Sequence, residues 1–292
     1  MEPGPRRWVA REELHAWCGG RLAAAALPGL WVDGSLDGLY APCVAVVGSR
    51  APSDDGRRRA RRLAEELARS GVCVISGLAL GVDGAAHEGA LAAGAPTIAV
   101  LGGGHEHVFP PRHRELAARV ATTGGAVVSP FEPENIPQPW QFLARNGVIA
   151  ALADAVVVVE AAARSGALNT AGHAADLGRP VLAFPGDVER PKAAGCNALI
   201  RDGAILVRDA EDVLAALPGY RPARKARQPR VVRETDSAEV RGVLEALADG
   251  GRELGALADS VALAPGELSS VLGELEIAGR IVRDAGGYAL AR

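Results

Sequence analysis

Apolar positions along this chain follow two rhythms. From Cys43 onward, short unbroken apolar runs recur: Val44 to Val47, Val72 to Ile75, Thr97 to Leu101, Ala126 to Val128, Ala155 to Val159, Pro180 to Phe184 and Ala204 to Val207. Runs this continuous, rich in Val and bounded by Gly, predict strands covered on both faces, as in a parallel sheet. The stretches between them carry helical spacing. Behind the first run, Ala60, Leu63, Ala64, Leu67 and Ala68 recur on one side, while Arg57, Arg58, Arg61, Arg62, Glu65, Glu66 and Arg69 fall on the other. Gly71 ends the pattern. Strand and helix in alternation give a doubly wound α/β class.

Outside this region the rhythm changes. Residues 1–42 carry Trp8, Trp17, Trp31 and Tyr40 among Gly and Pro, with too little periodicity for a separate domain, and read as an N-terminal lead segment before a sheet domain over 43–217. Between Pro218 and Arg233, Arg221, Arg224, Lys225, Arg227, Arg230 and Arg233 occur with three prolines and no acidic residue, which predicts a solvated basic linker over 218–235. In 236–292, one apolar stripe comprises Val240, Val243, Leu244 and Leu247, another Leu254 and Leu257, and a third Leu268, Val271, Leu272 and Leu275. Ile281 to Arg283, a turn at Gly286-Gly287, and Tyr288 to Leu290 read as a hairpin, so this part is winged-helix-like. Its third helix offers Glu267, Glu274 and Glu276 and no Lys or Arg before Arg280, which argues for protein contact or regulation, with DNA contact through Arg280 and Arg283 the lesser reading.

Composition narrows the choice of partner. The 292 residues carry a net charge of −3, so any polyanion must be held by a local arginine cluster rather than by the whole-molecule field. Cys18, Cys43, Cys73 and Cys196 form no CxxC pair, which fits a reducing cytoplasm and encodes no zinc ribbon. The apolar run Leu22 to Leu27 is too short for a signal-peptide core or a membrane span, so no targeting segment is read.

Candidate chemistry lies in the loops after the strands, where open α/β sheets bind ligands. Gly48-Ser49-Arg50 follows the first strand and precedes a helix, an arrangement that offers backbone N–H groups and a guanidinium to an anion. An ordinary strand-to-helix connection is the even alternative. No GxGxxG and no GxxxxGK[ST] occurs, which speaks against a bound dinucleotide or a P-loop, and no cofactor is expected. Asp83 with His87, and His105 with His107, read as a capping aspartate and structural imidazoles rather than metal ligands or an acid–base pair. Phe142, Arg145 and Asn146 share a helix face and suit an unstacked base with its phosphate. On the residues alone, a core phenylalanine beside a surface salt bridge is preferred for this trio, because aromatics are usually buried. Arg164 to Thr170, with Ser165, Gly166 and Asn169, opens another helix and is a second phosphate cradle. The Arg57 to Arg62 cluster is read as a salt-bridged helix face and left outside the site.

Taken in order, Gly48-Ser49-Arg50, Ser76-Gly77-Leu78-Ala79-Leu80-Gly81-Val82-Asp83 with His87, Phe109-Pro110, Phe142 to Asn146, Ser165 to Ala171, Pro185-Gly186 and Gly195-Cys196-Asn197 through Gly203-Ala204 resemble the DprA/Smf family over about residues 43 to 210. The C-terminal part is similar to the winged-helix domain that many members carry. The resemblance implies an extended Rossmann-like fold that binds single-stranded DNA, forms a homodimer and loads the RecA recombinase onto incoming strands in natural transformation, without catalysis or metal. By position it places Gly48, Ser49, Arg50, Gly77, Phe142, Arg145 and Asn146 in the DNA pocket. Two departures stand out: Gly147 stands where members usually have a second arginine, and Pro137 to Gln141 lacks a basic residue, so affinity is expected to be weaker or more salt-sensitive unless Arg164 or Trp140 compensates. The rival reading is a Rossmann-like nucleotide phosphoribohydrolase acting on nucleoside monophosphates, whose PGGxGTxxE signature is missing from Glu160 to Thr170.

Overall fold

The computed structural model describes residues 6–23, 25–218, 237–247, 253–261, 263–284 and 287–290. The chain divides into two units, Met1–Tyr220 and Arg221–Arg292. The basic stretch read as a linker lies, apart from Pro218, outside the described residues, as does Gly286 of the hairpin turn.

In the first unit the elements run β1 (Arg7–Ala10), α1 (Arg11–Cys18), β2 (Gly29–Gly34), β3 (Cys43–Val47), α2 (Asp54–Arg69), β4 (Cys73–Ser76), α3 (Val82–Ala92) and β5 (Thr97–Val100). They continue with α4 (Arg114–Thr122), β6 (Ala126–Ser129), α5 (Pro139–Leu152), β7 (Ala155–Val158), α6 (Gly166–Asp176), β8 (Val181–Ala183), α7 (Ala194–Arg201), β9 (Ile205–Leu206) and α8 (Ala210–Ala215). Nine strands form one sheet in the order β1-β2-β6-β5-β4-β3-β7-β8-β9. Every pairing from β6 to β9 is parallel.

The seven predicted apolar runs are the seven parallel strands. Alternate residues supply opposite cores: Cys43, Ala45 and Val47 of β3 pack with α1, α5 and α6, whereas Val44 and Val46 pack with α2, α3 and α8. Burial on both faces is why these strands read as continuous apolar runs. Helix α2 shows the same agreement between pattern and packing. Ser53 Oγ accepts from Gly56 N–H at 3.0 Å to open it, and Gly71 N–H to Ala68 O with Val72 N–H to Leu67 O closes it.

The lead segment proves to be part of the sheet. Strand β1 pairs antiparallel with β2, and β2 pairs antiparallel with β6, extending the edge. Buried Leu30 and Val32 alternate with half-buried Trp31 and Asp33, a period-two signal too short to stand out in sequence. Arg21, 8% exposed, anchors the segment by donating to Asp154 Oδ2 at 2.8 Å, to Ala41 O at 3.1 Å and to Leu39 O. The same carboxylate oxygen accepts from Cys43 N–H at 2.8 Å, tying the amino ends of β3 and β7 together.

The chain steps outward from β3 through β4, β5 and β6, then α5 carries it back so that β7 lies on the other side of β3. The carboxyl ends of β3 and β7 therefore flank the topological switch point, where a crevice opens in such sheets.

The second unit comprises α9 (Ala238–Ala246), α10 (Leu254–Ser260), α11 (Pro265–Ile277) and a hairpin of β10 (Ile281–Asp284) with β11 (Gly287–Leu290). Val243, Leu244, Leu247, Leu257, Leu268, Leu272, Leu275 and Ile281 form its core, while Leu254, of the second apolar stripe, is 47% exposed. Among the described residues no helix is long and apolar enough to cross a membrane.

Candidate functional site

The turn after β3 is held rigidly on the switch point. Ser49 N–H donates to Glu160 O at 2.7 Å, joining the loops after β3 and β7, and Val82 N–H donates to Ser49 O at 3.1 Å. A Cβ on Gly48 would sit 2.7 Å from Val82 Cγ2 and 2.9 Å from Glu160 O, so only glycine allows this approach. The fixed backbone delivers Arg50 to the surface. Its guanidinium carbon lies 5.6 Å from the Phe142 ring centroid, and no carboxylate among the described residues comes within 4.0 Å of it.

One sequence expectation is corrected here. The start of α2 is not open to an anion, because the Glu160 carboxylate already sits on it: Oε1 accepts from Ser53 N–H at 2.8 Å, and Oε2 from the Ser53 hydroxyl. Asp54 and Asp55 add further negative charge to that first turn. Arg50 and the start of α6 are the groups left facing the cleft.

Helix α5 supplies the wall opposite. It begins at Pro139, whose missing N–H costs nothing at a first turn, and Gln141 Oε1 accepts from Gln138 N–H at 2.6 Å. This fixes the face formed by Phe142, Arg145, Asn146 and Ile149. Phe142 is half-buried: its ring packs over Gly102, meets Phe109 edge-on at 5.6 Å, and lies 5.9 Å from the Arg145 guanidinium carbon. Arg145 points inward, only 4% exposed, and donates from Nη1 to Val100 O at 2.6 Å and to Gly77 O, and from Nε to Asn146 Oδ1 at 3.3 Å. The structure thus inverts the ordinary reading of this trio: the phenylalanine is the accessible group and the arginine is the buried one.

Gly77 completes the floor. A Cβ there would lie 2.3 Å from Arg145 Nη1 and 2.8 Å from Asp83 Oδ2, and its own N–H donates to Asp83 Oδ2 at 3.1 Å. Burial pushes the Asp83 carboxyl pKa up, and the nearby Arg145 charge holds it back. Burial likewise lowers Arg145 to about 10, with Asp83 opposing, so the guanidinium stays charged at neutral pH. Ser165 Oγ accepts from Ala167 N–H at 3.3 Å at the start of α6, and Asn146 Nδ2 donates to Gly166 O at 3.3 Å and Asn169 Oδ1 at 3.2 Å. Gly48, Ser49, Arg50, Arg145, Asn146, Arg164, Ser165 and Gly166 line one cleft of about 510 Å³. Gly77 lies beneath it, Phe142 beside Arg50, and Asn169 behind Asn146.

Other flagged groups are structural. His87 is fully buried; Thr97 Oγ1 donates to Val74 O at 2.6 Å and accepts from His87 Nδ1 at 2.9 Å, and burial lowers the imidazole pKa to about 3. His105, 5% exposed, donates from Nε2 to Val127 O at 3.0 Å. Two residues escaped sequence reasoning as site groups. Phe109, 51% exposed, supports the Phe142 ring, and its place in a glycine- and proline-rich loop beyond a strand's carboxyl end was the available signal. Glu160, the bridge between loops, had none.

A doubly wound parallel sheet with an arginine-flanked aromatic at its switch point, followed by a winged helix, makes this a two-part Rossmann-like α/β protein. Comparison with known proteins then gives the family. Residues 21–218 match the family model described as DNA recombination-mediator protein A, and residues 226–287 match the DprA winged helix domain. The chain belongs to this DprA/Smf family. Protein Smf of Escherichia coli K12 is 41% identical over 277 residues, covering 93% of this chain and 74% of that protein. The X-ray structure of DprA from Streptococcus pneumoniae aligns with TM-score 0.67 and 37% identity over 74% of this chain and 76% of its own. DprA from Helicobacter pylori, whose structure describes a single-stranded DNA binding mode, aligns with TM-score 0.61 and 28% identity over 66% of this chain and 89% of its own.

Proposed function

We propose that this chain is a non-enzymatic mediator that binds single-stranded DNA in the cleft at the switch point. The observation that carries the reading is the exposed, carboxylate-free Arg50 set against the half-exposed Phe142 at the mouth of that cleft. An aromatic face takes a base of any sequence, and a neighbouring guanidinium takes its phosphate. The resemblance to the Helicobacter protein points the same way. In this reading Gly48, Ser49, Arg50, Ser165 and Gly166 face the backbone, Phe142 stacks a base, and Gly77, Arg145, Asn146 and Asn169 hold the floor and wall. The family resemblance extends the proposal to a cytoplasmic homodimer that protects incoming strands and loads RecA in natural transformation.

Anisotropy of a fluorescent oligothymidine tests the first part. Wild type binds in a salt-dependent way; Phe142→Ala weakens binding by about 1–3 kcal/mol, and Arg50→Ala lowers the salt slope by about 0.7. Release of free base from a nucleoside monophosphate would replace this reading with the phosphoribohydrolase one. RecA loading is read from recombinase ATP hydrolysis on DNA precoated with single-strand-binding protein, which this chain should restore.

A further inference from the structure

Phe109 stands in the loop after β5 and is 51% exposed, whereas Phe131 and Phe142 are half-buried and Phe184 is 4% exposed. It belongs to none of the apolar cores. Its ring meets Phe142 edge-on, the centroids 5.6 Å apart and the planes inclined at 63°. An edge-on contact covers at most one face of each ring. Around Phe142 more of the space is taken: its ring lies against Gly102, and the guanidinium carbons of Arg50 and Arg145 approach its centroid at 5.6 and 5.9 Å. Among the described residues Phe109 meets no further ring and no guanidinium, so it carries the more open aromatic face at the mouth of the cleft. The backbone on either side of it is fixed. Gly104 N–H donates to Asn135 O at 2.8 Å and Glu106 N–H to Pro133 O at 3.0 Å, stitching the loop after β5 to the segment before α5. Beyond Phe109, His113 N–H donates to Pro110 O at 2.9 Å, and His113 Nδ1 to Leu78 O at 2.8 Å. A platform ordered in advance costs little to use in binding.

We propose that Phe109 is a second base platform, which takes the base next to the one seated on Phe142. The inference rests on the single-strand reading above. Rings inclined at 63° do not accept two bases in the parallel stack of a duplex, so neighbouring bases must splay apart, as those of an unpaired strand can. The loops after β5 and β6 carry charges of both signs, Arg112 with Glu106, Glu132 and Glu134, so the contribution here is stacking rather than phosphate attraction.

Fluorescence anisotropy with an oligothymidine, titrated across salt concentrations, tests this on Phe109→Leu and Phe109→Tyr. Leucine keeps an apolar side chain against Phe142 and removes the aromatic face; the position is exposed, so both variants should fold as wild type does. Phe109→Leu should weaken binding on the order of ten-fold, with the salt slope unchanged because no phosphate contact is lost. Phe109→Tyr should bind as wild type. The Phe109→Leu loss should recur in a Phe142→Leu background, whereas a residue that only props Phe142 has no effect once that ring is gone. Wild-type affinity in Phe109→Leu, an equal loss in Phe109→Tyr, a lowered salt slope, or a loss that vanishes in the Phe142→Leu background overturns this inference alone. Wild type that does not bind the oligothymidine overturns the single-strand reading and this platform together.

Discussion

Two arginines, at opposite ends of one sheet, are buried almost equally and do different things. Arg21 is 8% exposed and Arg145 4%, and each donates to backbone carbonyls. At the amino end, Arg21 also holds Asp154 at 2.8 Å, so its charge is cancelled within the fold. At the carboxyl end, Arg145 has no carboxylate oxygen within 4.0 Å, its nearest anion Asp83 being occupied with Gly77 N–H, and it borders an open cleft. A buried cation in direct contact with its carboxylate is a staple; Arg145, whose buried counter-charge Asp83 lies beyond 4.0 Å, is held instead by backbone carbonyls beside the cleft.

The largest effect should come from breaking the staple. Arg21→Ala leaves Asp154 without its cation and the lead segment unanchored, and should cost about 3 kcal/mol in denaturant unfolding. It should still gain about 2.7 kcal/mol from oligonucleotide at a hundred-fold excess over Kd, as wild type does. Arg145→Met should reverse that result. It loses about 2 kcal/mol through the unpaired Gly77 and Val100 carbonyls and the isolated Asp83, and it should show no oligonucleotide-dependent stabilisation. Equal ligand stabilisation of the two variants would erase the distinction between the arginines.

A third measurement uses His87, buried on α3, on the face of the sheet opposite to α5. Its folded pKa is lowered to about 3, by burial first and then by the His113 and Arg145 charges. The unfolded chain therefore takes up a proton below about pH 6.5 that the folded chain refuses, so the stabilisation is present above that pH and lost as pH falls toward 3. Unfolding free energy should drop by about 2 kcal/mol between pH 6.5 and 5 from this group, and His87→Asn should flatten that part of the profile. The smallest effects belong to the rim. Trp140, 61% exposed and edge-on to Phe131 at 5.9 Å, and Arg164, at the cleft lining, are proposed to offset Gly147 and the missing basic residue. Trp140→Ala should weaken oligonucleotide binding by about 1 kcal/mol and Arg164→Ala should lower the salt slope by about 0.7; unchanged affinity in both would end that idea.

What could be read from the sequence followed from range. The strands and α2 declare themselves locally, because burial on two faces or one writes a pattern into neighbouring residues. The Gly48 turn was legible for the same reason. Glu160 plugging the start of α2 was not: it acts on Ser53 across 107 residues, and no spacing rule connects them. Arg145 reaches Gly77 across 68 residues, so its inward direction depended on a sheet not yet assembled. The strands β1 and β2 hid because each is short and carries only two or three apolar residues.

The Glu160 plug also bears on which molecules compete for this protein. A pyrophosphate arriving at the start of α2, where doubly wound folds ordinarily seat dinucleotides, meets the Glu160 carboxylate already bound to Ser53. A carboxylate there disfavours the phosphates of soluble dinucleotides and nucleoside triphosphates at the most obvious socket in the architecture.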